Sequence, residues 1–279
     1  MTGVTAASPT ASLRWRRRTW LIVGGVVTAV TLLLTSSTVW TWLARLSAET
    51  ETGGGSYIRP VSFVVVDADE VHLVLMAGQA GRVRFERRLE WSGSKPAVEE
   101  TWDGQTFQVT ARCPDGPPLV VGADPVCSVG YTIAVPAEVA VDVTSRSGEI
   151  EVRDLGGEVR LSESTGSVTV TNVIGPLALR TTTGDIVGSG LRSSHVDVRV
   201  DTGNVDLSFA TPPEQVTVVA TTGNPTIEVP GDDRYRVSVE TTTGNQDIGV
   251  VRDPDATRTM DIRTTSGDVR VRYVSQAVD

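Results

Sequence analysis

The side chains that could do chemistry in this 279-residue chain are two histidines, two cysteines, 34 acids and a recurring phrase, TTTGD at 181–185 and TTTGN at 241–245. His72 and His195 each sit in an alternating apolar run, away from any cysteine or carboxylate at metal-ligand spacing, so zinc and general-base chemistry are poorly served. No nucleophile-elbow, phosphate-loop or dinucleotide fingerprint is present, and SGSK at 92–95 lacks the first half of a phosphate loop. Calcium at the recurring phrase would use Glu149, Asp185 and Asp268, but if the repeats stack at ~4.8 Å per rung the nearest two stand roughly 10 Å apart. The threonine pairs Thr169/Thr171, Thr181/Thr183 and Thr241/Thr243 suggest an ice-binding face, which needs a constant spacing that this chain lacks. The expectation is a protein that is not an enzyme, with no catalytic residues, no cofactor and no metal.

The recurring phrase has seven relatives: SRSGEIEV, ESTGSVTV, TTTGDIVG, VDTGNVDL, ATTGNPTIEV, TTTGNQDIGV and TTSGDVRV. Their glycines are Gly148, Gly166, Gly184, Gly203, Gly223, Gly244 and Gly267, each preceded by Ser or Thr and followed by Glu, Ser, Asp or Asn. The period lengthens slowly, from 18 to 23 residues. Such regularity reads as repeat architecture. Each unit contains two period-2 strands, for example Ile150 and Val152 followed by Val159 and Leu161, with Glu151 and Arg160 on the opposite face.

A two-strand unit cannot bury its apolar face alone, whereas stacked units bury a continuous one. The fold class expected is therefore all-β, a β-solenoid or β-helix-like stack of successive coils, with a β-sandwich of antiparallel hairpins as the alternative. In either, the glycine supplies a backbone turn with positive φ, and the flanking Asp or Asn accepts nearby backbone hydrogen bonds. Asn204, Asn224 and Asn245 would form a side-chain ladder at this corner. In NPTIEV and NQDIGV the first inward residue after the turn is expected to be displaced.

Residues 57–144 read as a less regular version of the same pattern and carry the large aromatics Phe85, Trp91, Trp102 and Phe107, as a capping half of the domain would. The regular repeat occupies 145–274, with a short tail at 275–279. Before them, ARLSAETETGGGS at 44–56 reads as a flexible spacer.

The run from Trp20 to Leu43 has no charged residue and as a helix would reach roughly 36 Å, enough to cross a membrane. Arg14, Arg16, Arg17 and Arg18 precede it and only Arg45 follows closely, which puts a tail at 1–19 in the cytoplasm and the rest outside. Trp15, Trp20, Trp40 and Trp42 fall where interfacial anchors belong. A cleaved signal peptide fits less well, because the apolar stretch is too long and Leu46-Ser47-Ala48 is a poor cleavage site. A retained single-pass anchor in the cell membrane is expected.

Outside the cytoplasm, Cys113 and Cys127 are the only pair available, and a disulfide between them would close a proline-rich loop. Beyond residue 50, 20 basic and 33 acidic residues leave a net charge of −13, which argues against a nucleic-acid groove or adhesion to anionic lipid.

The recurring strand, [ST]-G-[DNES], hydrophobic-x-hydrophobic pattern, preceded by CSVGYTIAVPAEVAVDVTSRSGEI, resembles the putative adhesin family of bacterial envelope proteins over roughly residues 57–274. The resemblance implies an extracytoplasmic all-β repeat domain of unassigned biochemical role, and carries no catalytic residues across. The function expected is an adhesin-like binding or structural role at the envelope, toward an unidentified glycan, peptide or protein. The alternatives are an envelope-stress accessory binding cationic antimicrobial peptides and a carbohydrate-active solenoid enzyme, the latter requiring two or three clustered acids.

Overall fold

The structure, a computed structural model, describes residues 25, 28, 31, 32, 49–114, 127–231 and 233–274. Gly25, Thr28, Thr31 and Leu32 are helical, and among the described residues no helix is long and apolar enough to cross a membrane. The span expected at 20–43, the tail at 1–19 and the C-terminal tail at 275–279 lie essentially outside the described residues. Glu49–Asp115 together with Cys127–Asp279 form one compact unit.

That unit is all-β. Its strands are β1 (Glu49–Ile58), β2 (Phe63–Ala77), β3 (Arg82–Trp91), β4 (Ala97–Asp103), β5 (Thr106–Arg112), β6 (Cys127–Val135), β7 (Ala140–Arg153), β8 (Val159–Thr171) and β9 (Leu177–Thr183). They continue as β10 (Ile186–Leu191), β11 (His195–Thr202), β12 (Val205–Phe209), β13 (Gln215–Thr222), β14 (Pro225–Val229), β15 (Arg236–Thr243), β16 (Gln246–Ile248), β17 (Thr259–Ser266) and β18 (Val269–Tyr273). From β7 onward every strand pairing is parallel, which decides for a solenoid-like stack against antiparallel hairpins.

Each rung is two strand segments meeting at a corner, so the stack has two ladders. One runs β4, β5, β2, β7, β8, β9, β11, β13, β17, β15; the other runs β1, β3, β6, β2, β7, β8, β10, β12, β14, β18, β16. Inward residues of both ladders, such as Val143, Ile150, Leu161, Val168, Leu179 and Ile186, are essentially inaccessible and belong to one continuous apolar cluster.

Two rungs lack the glycine phrase. In β2 the corner is Asp69-Glu70-Val71, yet its register with β7 continues through it, from Ala68 opposite Ser145 to Val71 opposite Gly148. The β5/β6 rung replaces the corner by the segment between Cys113 and Cys127, which are joined as a disulfide with their Cα atoms 6.0 Å apart.

Stacking is not in sequence order, contrary to the expectation of successive coils. The β17/β18 rung is inserted between β13/β14 and β15/β16, and β2 lies between β5/β6 and β7. Burial supplies the reason at the C-terminal end. Met260, Ile262, Val269 and Val271 of the inserted rung are at most 1% exposed, whereas the displaced rung offers Gln246 and Asp247 to solvent and only half-buries Val237 and Val239. The more apolar rung goes inside.

Register at NPTIEV also differs from expectation. Pro225 pairs with Val205 and is itself buried, so the inward position is kept, with a proline at the first residue of its strand.

The spacer expected at 44–56 is corrected as well, since Glu49–Ser56 form most of β1 and pair antiparallel with β3. Its glycines serve close approach instead of flexibility. A Cβ on Gly54 would lie 2.8 Å from the Phe85 carbonyl oxygen, and one on Gly55 would lie 2.8 Å from the Phe85 ring.

Candidate functional site

The seven phrase glycines stack into one corner column. At Gly184 φ is 144°, and a Cβ there would come 1.6 Å from the carbonyl oxygen of Gly166 in the rung beneath. The other six have φ between 137° and 157°. No side chain fits such a corner, so the phrase is a structural joint.

Beside this column runs a polar ladder. Asp185 Oδ1 accepts from the Asn204 backbone N–H (2.7 Å) and side-chain amide (3.2 Å), and Asn204 Oδ1 accepts from both donors of Asn224 (3.2 and 3.0 Å). Asn224 Oδ1 accepts from the Asp268 N–H (2.9 Å), and Asp268 Oδ1 accepts from both donors of Asn245 (2.7 and 3.2 Å). The expected ladder exists, with Asp268 interposed by the rung exchange. Asp185 and Asp268 are thus each occupied in hydrogen bonding and separated by two asparagines. Among the described residues no group of three or more His, Cys, Asp or Glu side chains converges as metal ligands would.

The histidines stay apart. His195 Nδ1 lies 2.8 Å from the Ser194 hydroxyl, and His72 Nδ1 lies 3.3 Å from Glu149 with both side chains more than half exposed.

A surface depression of about 470 Å³ opens on the outer face of the second ladder. Across that face one row reads Thr52, Arg88, Gly130, His72, Glu149, Ser167. Gly130 leaves a gap in the row between Arg88 and His72, and Glu86 and Thr132 flank the gap one row along. A Cβ on Gly130 would meet nothing closer than 3.5 Å, so packing does not demand glycine here. Arg88 is exposed and has no ion pair among the described residues, and the lining holds one carboxylate, Glu86. A cation, an imidazole and two threonines around a peptide floor suit hydrogen bonding to a polar ligand. Beneath the groove the other face is locked, with Arg87 2.6 Å and the Tyr131 hydroxyl 2.7 Å from the same Glu100 oxygen. The Glu100 bond holds the Arg87 guanidinium above its ordinary pKa, while burial raises that of Tyr131.

One further group was legible in the alternation of Val159, Leu161 and Glu163 but carried no motif. Glu163 faces inward, is 3% exposed, and neither carboxylate oxygen has a hydrogen-bond partner. Burial, and secondarily the charge of Glu149, push its pKa up to about 7.

The rungs, the two ladders and the glycine corner define a parallel β-solenoid built from two-strand repeats. Residues 138–272 match the family model of the Toastrack DUF4097 domain. Among solved structures, a putative adhesin from Parabacteroides distasonis is 10% identical over 80% of this chain and 97% of its own, with a TM-score of 0.46. A putative adhesin from Bacteroides fragilis is 9% identical over 80% and 97%, TM-score 0.40, and a putative cell adhesion protein from Clostridium sporogenes is 10% identical over 80% and 100%, TM-score 0.36. No curated protein matches the chain.

Proposed function

We propose that this protein is a single-pass, N-in membrane protein that holds its Toastrack domain outside the cytoplasm and uses it for adhesin-like, non-enzymatic binding at the cell envelope. The membrane part of the reading is supported by the uncharged run from Trp20 to Leu43 and the four arginines just before it. The observation that carries the binding part is the groove over Gly130, an open polar floor flanked by the exposed Arg88 guanidinium, which has no ion pair among the described residues. Its ligand class is a polar envelope component, a glycan or a peptide. A trap for cationic peptides has less support, because many exterior acids already face arginines, as in Asp197 with Arg199 and Asp261 with Arg263.

A glycan and peptide screen on residues 49–279, which keep β1 with its partner, tests the binding. Arg88→Ala should weaken any hit at least tenfold, and Gly130→Leu should block it without changing the melting temperature; a hit indifferent to both substitutions would remove the groove from the reading. Protease treatment of intact cells tests the orientation, because an exterior domain is shaved off and an interior one survives.

A further inference from the structure

Glu163 occupies a column in which every other rung carries a small or neutral side chain. Reading along the ladder, its equivalents are Ser145 beneath it and Thr181 above, then Val200, Ala220 and Thr264. Its carboxylate folds back over its own corner, so close that a Cβ on Gly166 would stand 2.4 Å from Oε1. Neither oxygen has a partner, and the buried hydroxyl of Thr181 next to it has none either.

Among the described residues no cation is placed to neutralise it. On the β7 side the nearest charge is Glu149, itself held by His72 of β2, and the Arg146 guanidinium is turned to Asp69 at 3.2 Å. Glu70, at the same end of the corner column, is a further acid whose pKa burial raises. On the β9 side the corner offers only Thr181, Thr182 and Thr183. A charged carboxylate in this place would be buried, unpaired and next to like charge, an arrangement that a protein relieves by taking up a proton or by letting the group out.

We propose that the corner at 163–167 is a proton-operated latch: it is closed with Glu163 protonated and inside the column, and it opens when the proton leaves to solvent and the carboxylate swings out past Gly166. The latch lies between the β7 and β9 rungs, so its opening loosens the corner hydrogen bonds of β8 with both neighbours. Because the group titrates from about 7 when closed and 4.5 when free, neutral to alkaline surroundings favour opening and acidic surroundings favour closure.

Amide hydrogen exchange on the full-length chain at pH 5.5 and 8.5, corrected for intrinsic exchange, tests this. Protection of residues 163–168 should fall about 30-fold at the higher pH, a ratio set by the two titration points, and should lie below that of residues 196–200 at both pH values. Glu163→Gln removes the charge and Glu163→Thr gives the column the residue of its neighbour; in both, protection at 163–168 should be the same at the two pH values. The latch is overturned by an unchanged wild-type corner, by the same loss in both variants, or by protection at 163–168 equal to that at 196–200 at both pH values, which would mean that the corner opens only with the whole domain. Carbon NMR titration of the Glu163 carboxyl supplies a direct reading: a midpoint near 7 supports the latch, and one near 4.5 overturns it.

Discussion

At the N-terminal end of the stack β4 lies antiparallel on β5 and β3 on β6, whereas at the C-terminal end the last rung, β15/β16, stays parallel to the one beneath. The first end is closed by bulk. Phe107 is fully buried against Trp102 at 5.0 Å and Phe85 at 5.7 Å, and Tyr57 meets Trp102 edge-on at 5.5 Å. The second end is closed by polarity and a strap. Tyr235, at the head of the edge strand, donates to Val251 and accepts from Asp253, and the Gln246 side chain reaches the Val239 carbonyl. A stack of parallel strands presents unpaired backbone at both ends, and an unguarded edge invites further pairing. The contrast teaches that large side chains are needed where the end strands change direction, while a polar rung with a local strap suffices where they do not. Between the ends, stability rests on repetition of one corner.

Breaking the middle should therefore cost most. Gly184→Val pushes a side chain into the backbone of the neighbouring rung and should cost more than about 4 kcal/mol or prevent folding, read by thermal unfolding. A cost below 1 kcal/mol would show that the corners are not what holds the rungs. At the aromatic end Phe107→Ala should cost about 3–5 kcal/mol in urea unfolding, by loss of a fully buried ring.

The Glu163 substitution separates the middle from both ends by pH. Its folded pKa is raised above the free value of 4.5, so its contribution is full below 4.5 and is lost as pH rises through about 7, by up to about 3 kcal/mol. Glu163→Gln should flatten that loss, measured as the difference in urea midpoint between pH 5 and pH 8. Opening the disulfide, by reductant or by Cys113→Ser, should cost about 3 kcal/mol in the chain-entropy account. An equal shift from reductant in the Cys113→Ser variant would mean that reductant acts elsewhere. The smallest effect belongs to the corner ladder, where Asn204→Ala removes exposed hydrogen bonds and should cost about 1 kcal/mol.

Much of this was legible along the chain. The glycine spacing located seven corners, alternation assigned Ile150, Val152, Val159 and Leu161 to the core, and the two cysteines found each other. The rung at β2 escaped notice because its corner is Asp69-Glu70 and holds no glycine, and β1 escaped because a glycine run reads the same whether it is loose or pressed against Phe85. The groove was illegible, since Arg88, Gly130 and His72 are neighbours only through strand pairing across 58 residues of chain.

The sequence by itself determined the local rules: where the chain turns, which face of each strand is apolar, and that no rung can stand alone. Those follow from φ at glycine and from period-2 burial, which act over a few residues. The tertiary structure alone decided the order of the rungs. Any two share the same corner and the same width, so local pattern cannot rank them, and the choice falls to which rung loses most by facing water. Met260, Ile262, Val269 and Val271 went inside, and Gln246 and Asp247 were left at the edge.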